Sequence, residues 1–91
     1  MLAWPPKDPD DVLDYSIDWS SVLDVDGDTL SGATWDVPAG LTKDSDAVDG
    51  SKAVVWISGG EDGVRYEIGC KITTGGGRTY DRTVELVVRQ A

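Results

Sequence analysis

The feature that most constrains the fold of this 91-residue chain is a pair of alternating segments joined by a run of glycines. In residues 65–74 and again in residues 83–88, apolar side chains recur at every second position. Successive side chains of a β-strand point to opposite faces, so each segment predicts a half-buried strand. The predicted inward positions are Tyr66, Ile68, Cys70 and Ile72 in the first strand and Val84, Leu86 and Val88 in the second. With residues 75–78 between them, the two strands predict a β-hairpin.

A lone hairpin is only marginally stable in water, so its apolar face requires a second layer of strands. Alternation predicts further strands over residues 12–19, 29–37 and 53–58, with Gly32 marking a bulge or a switch of strand between sheets. Only a short helical turn fits near residues 20–23. The Asp, Ser, Lys and Gly content of residues 41–51 predicts an exposed loop. We therefore expect five or six strands and no helix of useful length.

These elements predict an all-β fold, a small immunoglobulin-like β-sandwich with an extended N-terminal arm. The arm covers residues 1–11 and the single sandwich domain covers residues 12–91. Tyr66 follows the turn glycine Gly63 at the head of a strand. Immunoglobulin-like domains place their tyrosine corner in this position, and its hydroxyl bonds back to the turn.

The arm is predicted from its prolines. Pro5, Pro6 and Pro9 fix φ and favour extended, polyproline-like chain. Trp4 lies near the tip of the arm, where it either folds back on its own domain or anchors in the pocket of a neighbouring protein. The apolar residues 1–4 before Pro5 are too few to target or span a membrane, so we expect neither a signal peptide nor a membrane span.

The formal charge of −9 is distributed unevenly along the chain. Residues 1–50 hold twelve acids and two bases, and residues 51–91 hold five acids and six bases, so the halves carry −10 and +1. Nucleic acid and anionic membranes are therefore expected to be poor partners. The separation suits copies that meet head to tail around a ring, or simply keeps a small β protein soluble.

Few residues of the chain are candidates for catalysis or metal binding. The chain has no histidine, and Cys70 is its single cysteine, expected to be a buried and inert thiol. Asp24, Asp26 and Asp28 alternate like the start of a calcium loop, but the glycine and glutamate that an EF-hand requires are missing, which leaves a solvated turn or a looser Ca²⁺ site. We expect a protein that is not an enzyme and that uses no cofactor or metal.

Several short motifs, in this order and spacing, resemble one family across about Lys7 to Val88. They occupy residues 14–19, 27–30, 35–37, 40–42, 55–60, 72–74 and 77–78, with Tyr66 between them. The family is one of small tailed-phage virion proteins, short β-sandwich proteins described as fibre–tail adaptors and encoded among head and neck genes. The resemblance implies a structural virion component, present in several copies and bound to other virion proteins.

On this basis we expect a multi-copy adaptor at the neck or tail, serving fibre–tail or head–tail attachment. The expected partners are neck, tail, fibre or capsid subunits, together with further copies of the chain. Partner binding is predicted at Trp4, Pro5, Pro6 and Arg78, with additional contacts from residues 44–51 and 75–78. One alternative is a capsid decoration protein, which clamps neighbouring capsid subunits.

A second alternative is a carbohydrate-binding module, in which Trp19, Trp35 or Trp56 would stack on sugar rings. Strand alternation places Trp19 and Trp35 on inward faces, which favours core tryptophans over a sugar platform. Trp56 stays ambiguous because Val55 and Ile57 compete for the inward phase.

Overall fold

Seven strands and one helical turn make up the structure, a computed structural model that describes residues 2–25 and 27–90. The strands are β1 (Leu2–Ala3), β2 (Leu13–Asp18), β3 (Leu30–Asp36), β4 (Leu41–Asp49), β5 (Lys52–Gly59), β6 (Arg65–Thr74) and β7 (Thr79–Val87). The helical turn α1 spans Ser20–Leu23. Within the described residues, no helix is long and apolar enough to cross a membrane.

The strands form two sheets, and the all-β prediction is confirmed. One sheet has the order β1-β7-β6-β3 and the other the order β2-β5-β4. All neighbouring strands are antiparallel except β1, which runs parallel to β7. Buried side chains of both sheets belong to one apolar cluster, so the sheets pack face to face around a single core.

The β6–β7 hairpin is the most regular part of the molecule and follows the prediction. Every expected inward side chain of these strands is buried, from Tyr66 to Val88. Strand β7 begins at Thr79, four residues before the alternating segment 83–88. Residues 79–82 pair with β6, but their side chains are mostly exposed, so they show no apolar alternation. Gly32 marks the predicted bulge, since the pairing of β3 with β6 shifts between Leu30 and Gly32.

The predicted loop over residues 41–51 is wrong, and so is the count of five or six strands. Residues Leu41–Asp49 form β4, which pairs with β5 along its length and has a register shift between Lys43 and Ser45. As an edge strand it is held by backbone hydrogen bonds, and every residue from Thr42 onward is exposed. A strand with no buried face carries no apolar alternation, so its sequence looks like a loop.

The core contains both tryptophans that alternation placed inward. Trp19 and Trp35 are 1% and 7% exposed, and Trp56 is 41% exposed on the outer face of β5. The inward phase of β5 belongs instead to Ala53, Val55 and Ile57, which are completely buried. The ambiguity about Trp56 is thereby resolved in favour of the surface.

Tyr66 secures the turn that precedes β6. Its hydroxyl accepts a hydrogen bond from the backbone N–H of Glu61 at 3.0 Å, so the tyrosine does bond back to the turn. Gly40 lies against the same ring, and a Cβ at Gly40 would stand 2.9 Å from the tyrosine hydroxyl. The close approach and the φ of +100° together require glycine there.

Candidate interaction surfaces

The N-terminal segment runs along the outer edge of β7. The backbone N–H of Trp4 donates to the carbonyl of Glu85, and that of Lys7 donates to Val87, both at 3.0 Å. The carbonyl of Lys7 in turn accepts from Arg89 at 2.8 Å. These bonds satisfy part of the β7 edge, which would otherwise be open to pairing with another chain.

Trp4 folds back on its own domain. Its indole stacks on the ring of Tyr15, with centroids 4.6 Å apart, and lies at a tilt against Trp35. The indole nitrogen donates to the carbonyl of Ser16 at 3.3 Å. Trp4 is half-buried, whereas Pro5 and Pro6 beside it are exposed. Of the arm residues predicted to bind a partner, therefore, the two prolines face solvent, whereas the tryptophan is partly buried against its own domain.

Tyr15 and Trp35 form the seat of Trp4, and within the part of the chain that the structure describes, the Tyr15 hydroxyl and the Trp35 indole nitrogen have no hydrogen-bond partner. Each such buried group costs on the order of 1–3 kcal/mol. Burial raises the pKa of Tyr15, and the charge of Asp11 raises it further. The rings in the seat of Trp4 therefore pack closely, but two of their polar atoms lack hydrogen bonds to the described residues.

Lys7 is the anchor of the arm, a role that sequence patterns did not indicate. Its side chain is 1% exposed, which is rare for a lysine. The amine donates to the carbonyls of Gly59 at 2.6 Å and Asp8 at 2.8 Å. Lys7 thereby joins the arm to the end of β5, which belongs to the opposite sheet. Its charge made a surface position the natural expectation.

Arg78 lies at the tip of the β6–β7 hairpin, bound to Asp28. One guanidinium nitrogen is 3.0 Å from the Asp28 carboxylate, which also accepts from the backbone N–H groups of Gly76 and Thr29. The pKa of Asp28 is lowered to about 2, most strongly by the Thr74 hydroxyl and further by the two N–H groups and Arg78. Desolvation acts in the opposite direction and raises it. Arg78 thus fastens the hairpin to the loop before β3 while its side chain stays 48% exposed.

The carboxylates considered for a calcium site have different environments in the structure. Asp28 is committed to the hairpin, Asp24 is exposed, and Asp26 lies outside the described residues. Over residues 2–25 and 27–90, no group of three or more possible ligands is placed to hold a metal ion.

Cys70 is completely buried in the core, as predicted. Burial raises the pKa of its thiol to about 11. A thiol of this kind stays protonated at neutral pH and is a poor nucleophile.

The outer faces of the two sheets differ in shape. On the β2-β5-β4 sheet, Trp56 projects from the central strand, with Asp14 and Ser45 as its cross-strand neighbours. The outer face of the opposite sheet has a depression of about 300 Å³. The depression is lined by Thr34, Asp36, Gly69, Lys71, Asp81 and Thr83. Both faces are open to solvent, one with a projecting indole and the other with a depression.

Comparison with known proteins gives one family. Residues 7–87 match the sequence model of the family described as "Podophage GP4 fiber-tail adaptor protein gp77". No curated protein matches the chain. The matched region begins at the buried anchor Lys7 and ends with β7, so it spans both sheets.

Proposed function

Because the chain belongs to the podophage fibre–tail adaptor family, whose members are structural phage proteins, we propose that it acts in several copies at the neck or tail of the virion. It joins other virion proteins, such as tail and fibre subunits, through protein contacts. The family match over residues 7–87 is the observation that carries this proposal. The mixture of a bonded arm and open sheet faces supports it, because such features serve contact between chains.

We further propose that the fold is an immunoglobulin-like sandwich, with residues 1–11 as its arm and 12–91 as its domain. The orders β2-β5-β4 and β3-β6-β7 correspond to the B-E-D and C-F-G strands of such domains. The bond from Glu61 to the Tyr66 hydroxyl supports the same assignment, since it corresponds to their tyrosine corner.

Within this proposal, Trp4, Pro5, Pro6 and Arg78 contact neighbouring virion subunits. Pro5 and Pro6 are exposed and rigid, so their ordering on binding costs little conformational entropy. Arg78 keeps about half of its side chain exposed while bound to Asp28, which holds the guanidinium in a fixed position for a partner. Trp4 offers the exposed part of its half-buried side chain and also fixes the path of the arm.

The protein is proposed to act without catalysis, cofactor, nucleic acid or membrane. A net charge of −9 repels phosphate groups, and the thiol of Cys70 is buried and protonated. A capsid decoration role would use similar contacts, but the family description favours the tail. A sugar platform is left with Trp56 alone among the three tryptophans considered, because Trp19 and Trp35 are buried.

A truncation tests the arm. Deleting residues 2–6 removes Trp4, Pro5 and Pro6 but keeps the anchor Lys7, and the matched control replaces Asp10, exposed in the same arm, by serine. Particles are purified from cells that supply each variant, and the amount of incorporated chain is measured. We expect strong loss for the deletion and normal incorporation for the control, provided that both purified chains unfold at similar temperatures. Normal incorporation of the deletion variant would overturn the role of the arm.

A further inference from the structure

Trp56 occupies an unusual position, because a large aromatic side chain at the centre of a sheet is exposed to solvent. Strand β5 is the middle strand of its sheet, and Trp56 lies on the outer face with 41% of its surface accessible. Across the sheet, Asp14 of β2 and Ser45 of β4 are its direct partners. Exposed aromatic residues at the centre of a surface are frequent anchors of protein interfaces.

The outward neighbours of Trp56 on this face have short side chains. The outward positions nearest to the indole are Ser16, Thr42, Ser45, Ala47, Val54 and Ser58. None of these side chains is long enough to cover the ring of a tryptophan. An incoming side chain therefore has access to the indole from the solvent side.

The charge of this face is negative. Asp14 adjoins Trp56, and Asp18 and Asp49 lie on the outward positions of the outer strands, against a single base, Lys52, on β5. The other base of the sheet, Lys43, stands on the inward phase and binds Asp46 at 3.2 Å. A cation above the ring would thus meet both the π-face of the indole and the carboxylate of Asp14.

We propose that the Trp56 face, formed by Trp56, Asp14 and Ser45, binds an arginine side chain of a different virion protein. Arginine fits because its planar guanidinium stacks on an indole and donates hydrogen bonds to a carboxylate at the same time. The chain itself contains a similar pair, in which the guanidinium of Arg82 lies 5.4 Å from the centre of the Trp19 ring. This inference rests on the proposed function and identifies the chemistry of one partner.

A different protein is a better source of the arginine than a second copy of the chain. Arg65 is 3.4 Å from Glu85, Arg78 binds Asp28, and Arg82 lies over Trp19. Three of the four arginines in the sequence would have to leave these contacts in order to reach a neighbouring Trp56.

Site-specific photocrosslinking in assembled particles tests the proposal. A benzophenone amino acid replaces Ser45, next to Trp56, and a control chain carries it at Thr34 on the outer face of the other sheet. After irradiation, crosslinked peptides are identified by mass spectrometry. The expected product from position 45 joins this chain to a peptide of another virion protein that contains an arginine close to the crosslink.

Variants then identify the interaction. Trp56→Ala is expected to reduce the crosslink from position 45 about tenfold, Trp56→Phe to reduce it less, and Asp14→Asn to reduce it about threefold with a weaker salt dependence. The Thr34 control should give the same yield in all three variants. Replacing the arginine of the partner by lysine should also lower the yield, because lysine lacks the planar group.

The crosslinking results distinguish failure of this inference from failure of the proposed function. A crosslink between two copies of this chain, a partner peptide without arginine, or a yield unaffected by Trp56→Ala overturns the inference, while incorporation into particles leaves the proposed function intact. Binding of free oligosaccharides that is lost in Trp56→Ala, without a protein crosslink, would assign the face to sugar instead. Absence of the chain from particles would overturn the proposed function, and this inference with it.

Discussion

The two hairpins of the molecule, β6–β7 and β4–β5, are both paired along their lengths, but only the first can be seen in the sequence. In β6 the side chains alternate between exposed and buried, and in β4 they are exposed throughout after Leu41. Both strands obtain their hydrogen bonds from a neighbouring backbone. The comparison teaches that sequence alternation reports burial of a face, whereas an edge strand needs only a partner with free backbone groups.

The largest expected difference between the hairpins is in core packing. Ile68 is completely buried in β6, so Ile68→Ala should lower the free energy of unfolding by about 4 kcal/mol. Val48 of β4 is 42% exposed, so Val48→Ala should cost less than about 1 kcal/mol. Urea unfolding of both variants measures the contrast. Similar losses would mean that β4 contributes to the core as much as β6 does.

A second contrast concerns turn glycines. A Cβ at Gly60 would stand 2.7 Å from the Val88 side chain at a φ of +101°, so Gly60→Ala should cost about 3 kcal/mol. Gly50, at the β4–β5 turn, has a φ of +60° and open space, so Gly50→Ala should cost about 1 kcal/mol. The same unfolding assay separates them. If the two costs were equal, the approach of Val88 to Gly60 would not be a constraint.

The parts of the fold that could be predicted from the sequence are those with a buried face. The hairpin β6–β7, the inward tryptophans and the bulge at Gly32 were predictable because burial imposes a period of two on the sequence. Strand β4 was not, because its Asp and Ser residues satisfy a backbone ladder without a buried face. Lys7 was not either, since its burial depends on two carbonyls that only the fold brings together.

The tyrosine at the head of β6 provides a smaller test. Tyr66→Phe removes the acceptor for the backbone N–H of Glu61 and should cost about 1 kcal/mol. Tyr80→Phe, on β7 and half-buried, serves as the control and should change stability by less than about 0.5 kcal/mol. Thermal unfolding of the two variants, measured side by side, checks the difference. Equal stabilities would show that the bond from Glu61 contributes nothing.

Acid provides a test of the tip of the β6–β7 hairpin. The pKa of Asp28 falls to about 2 in the folded chain from an ordinary value near 3.8, so its contribution is complete above about pH 4 and is lost as the pH falls towards 2. Asp28→Asn should lower the melting temperature at pH 7, and the gap to the unmodified chain should close between pH 4 and 2. Asp49→Asn, beside the turn of β4–β5, is the control. A gap that persisted at pH 2 would contradict the role of the charge.

The smallest effect is expected on β4 itself. Lys43 and Asp46 form an exposed ion pair at 3.2 Å, and such pairs contribute from about 0 to 1 kcal/mol. A double-mutant cycle with Lys43→Gln and Asp46→Asn should give a coupling below about 0.5 kcal/mol, decreasing with salt. A coupling above about 1.5 kcal/mol would make this edge more important for stability than its exposure indicates.

Cryo-electron microscopy of the intact particle tests the central claim most directly. We expect several copies of a domain with the sheet orders β1-β7-β6-β3 and β2-β5-β4, located where fibre and tail proteins meet and contacting them through the arm and the Trp56 face. Density for the domain on the capsid surface alone, or particles that lack the chain, would contradict it.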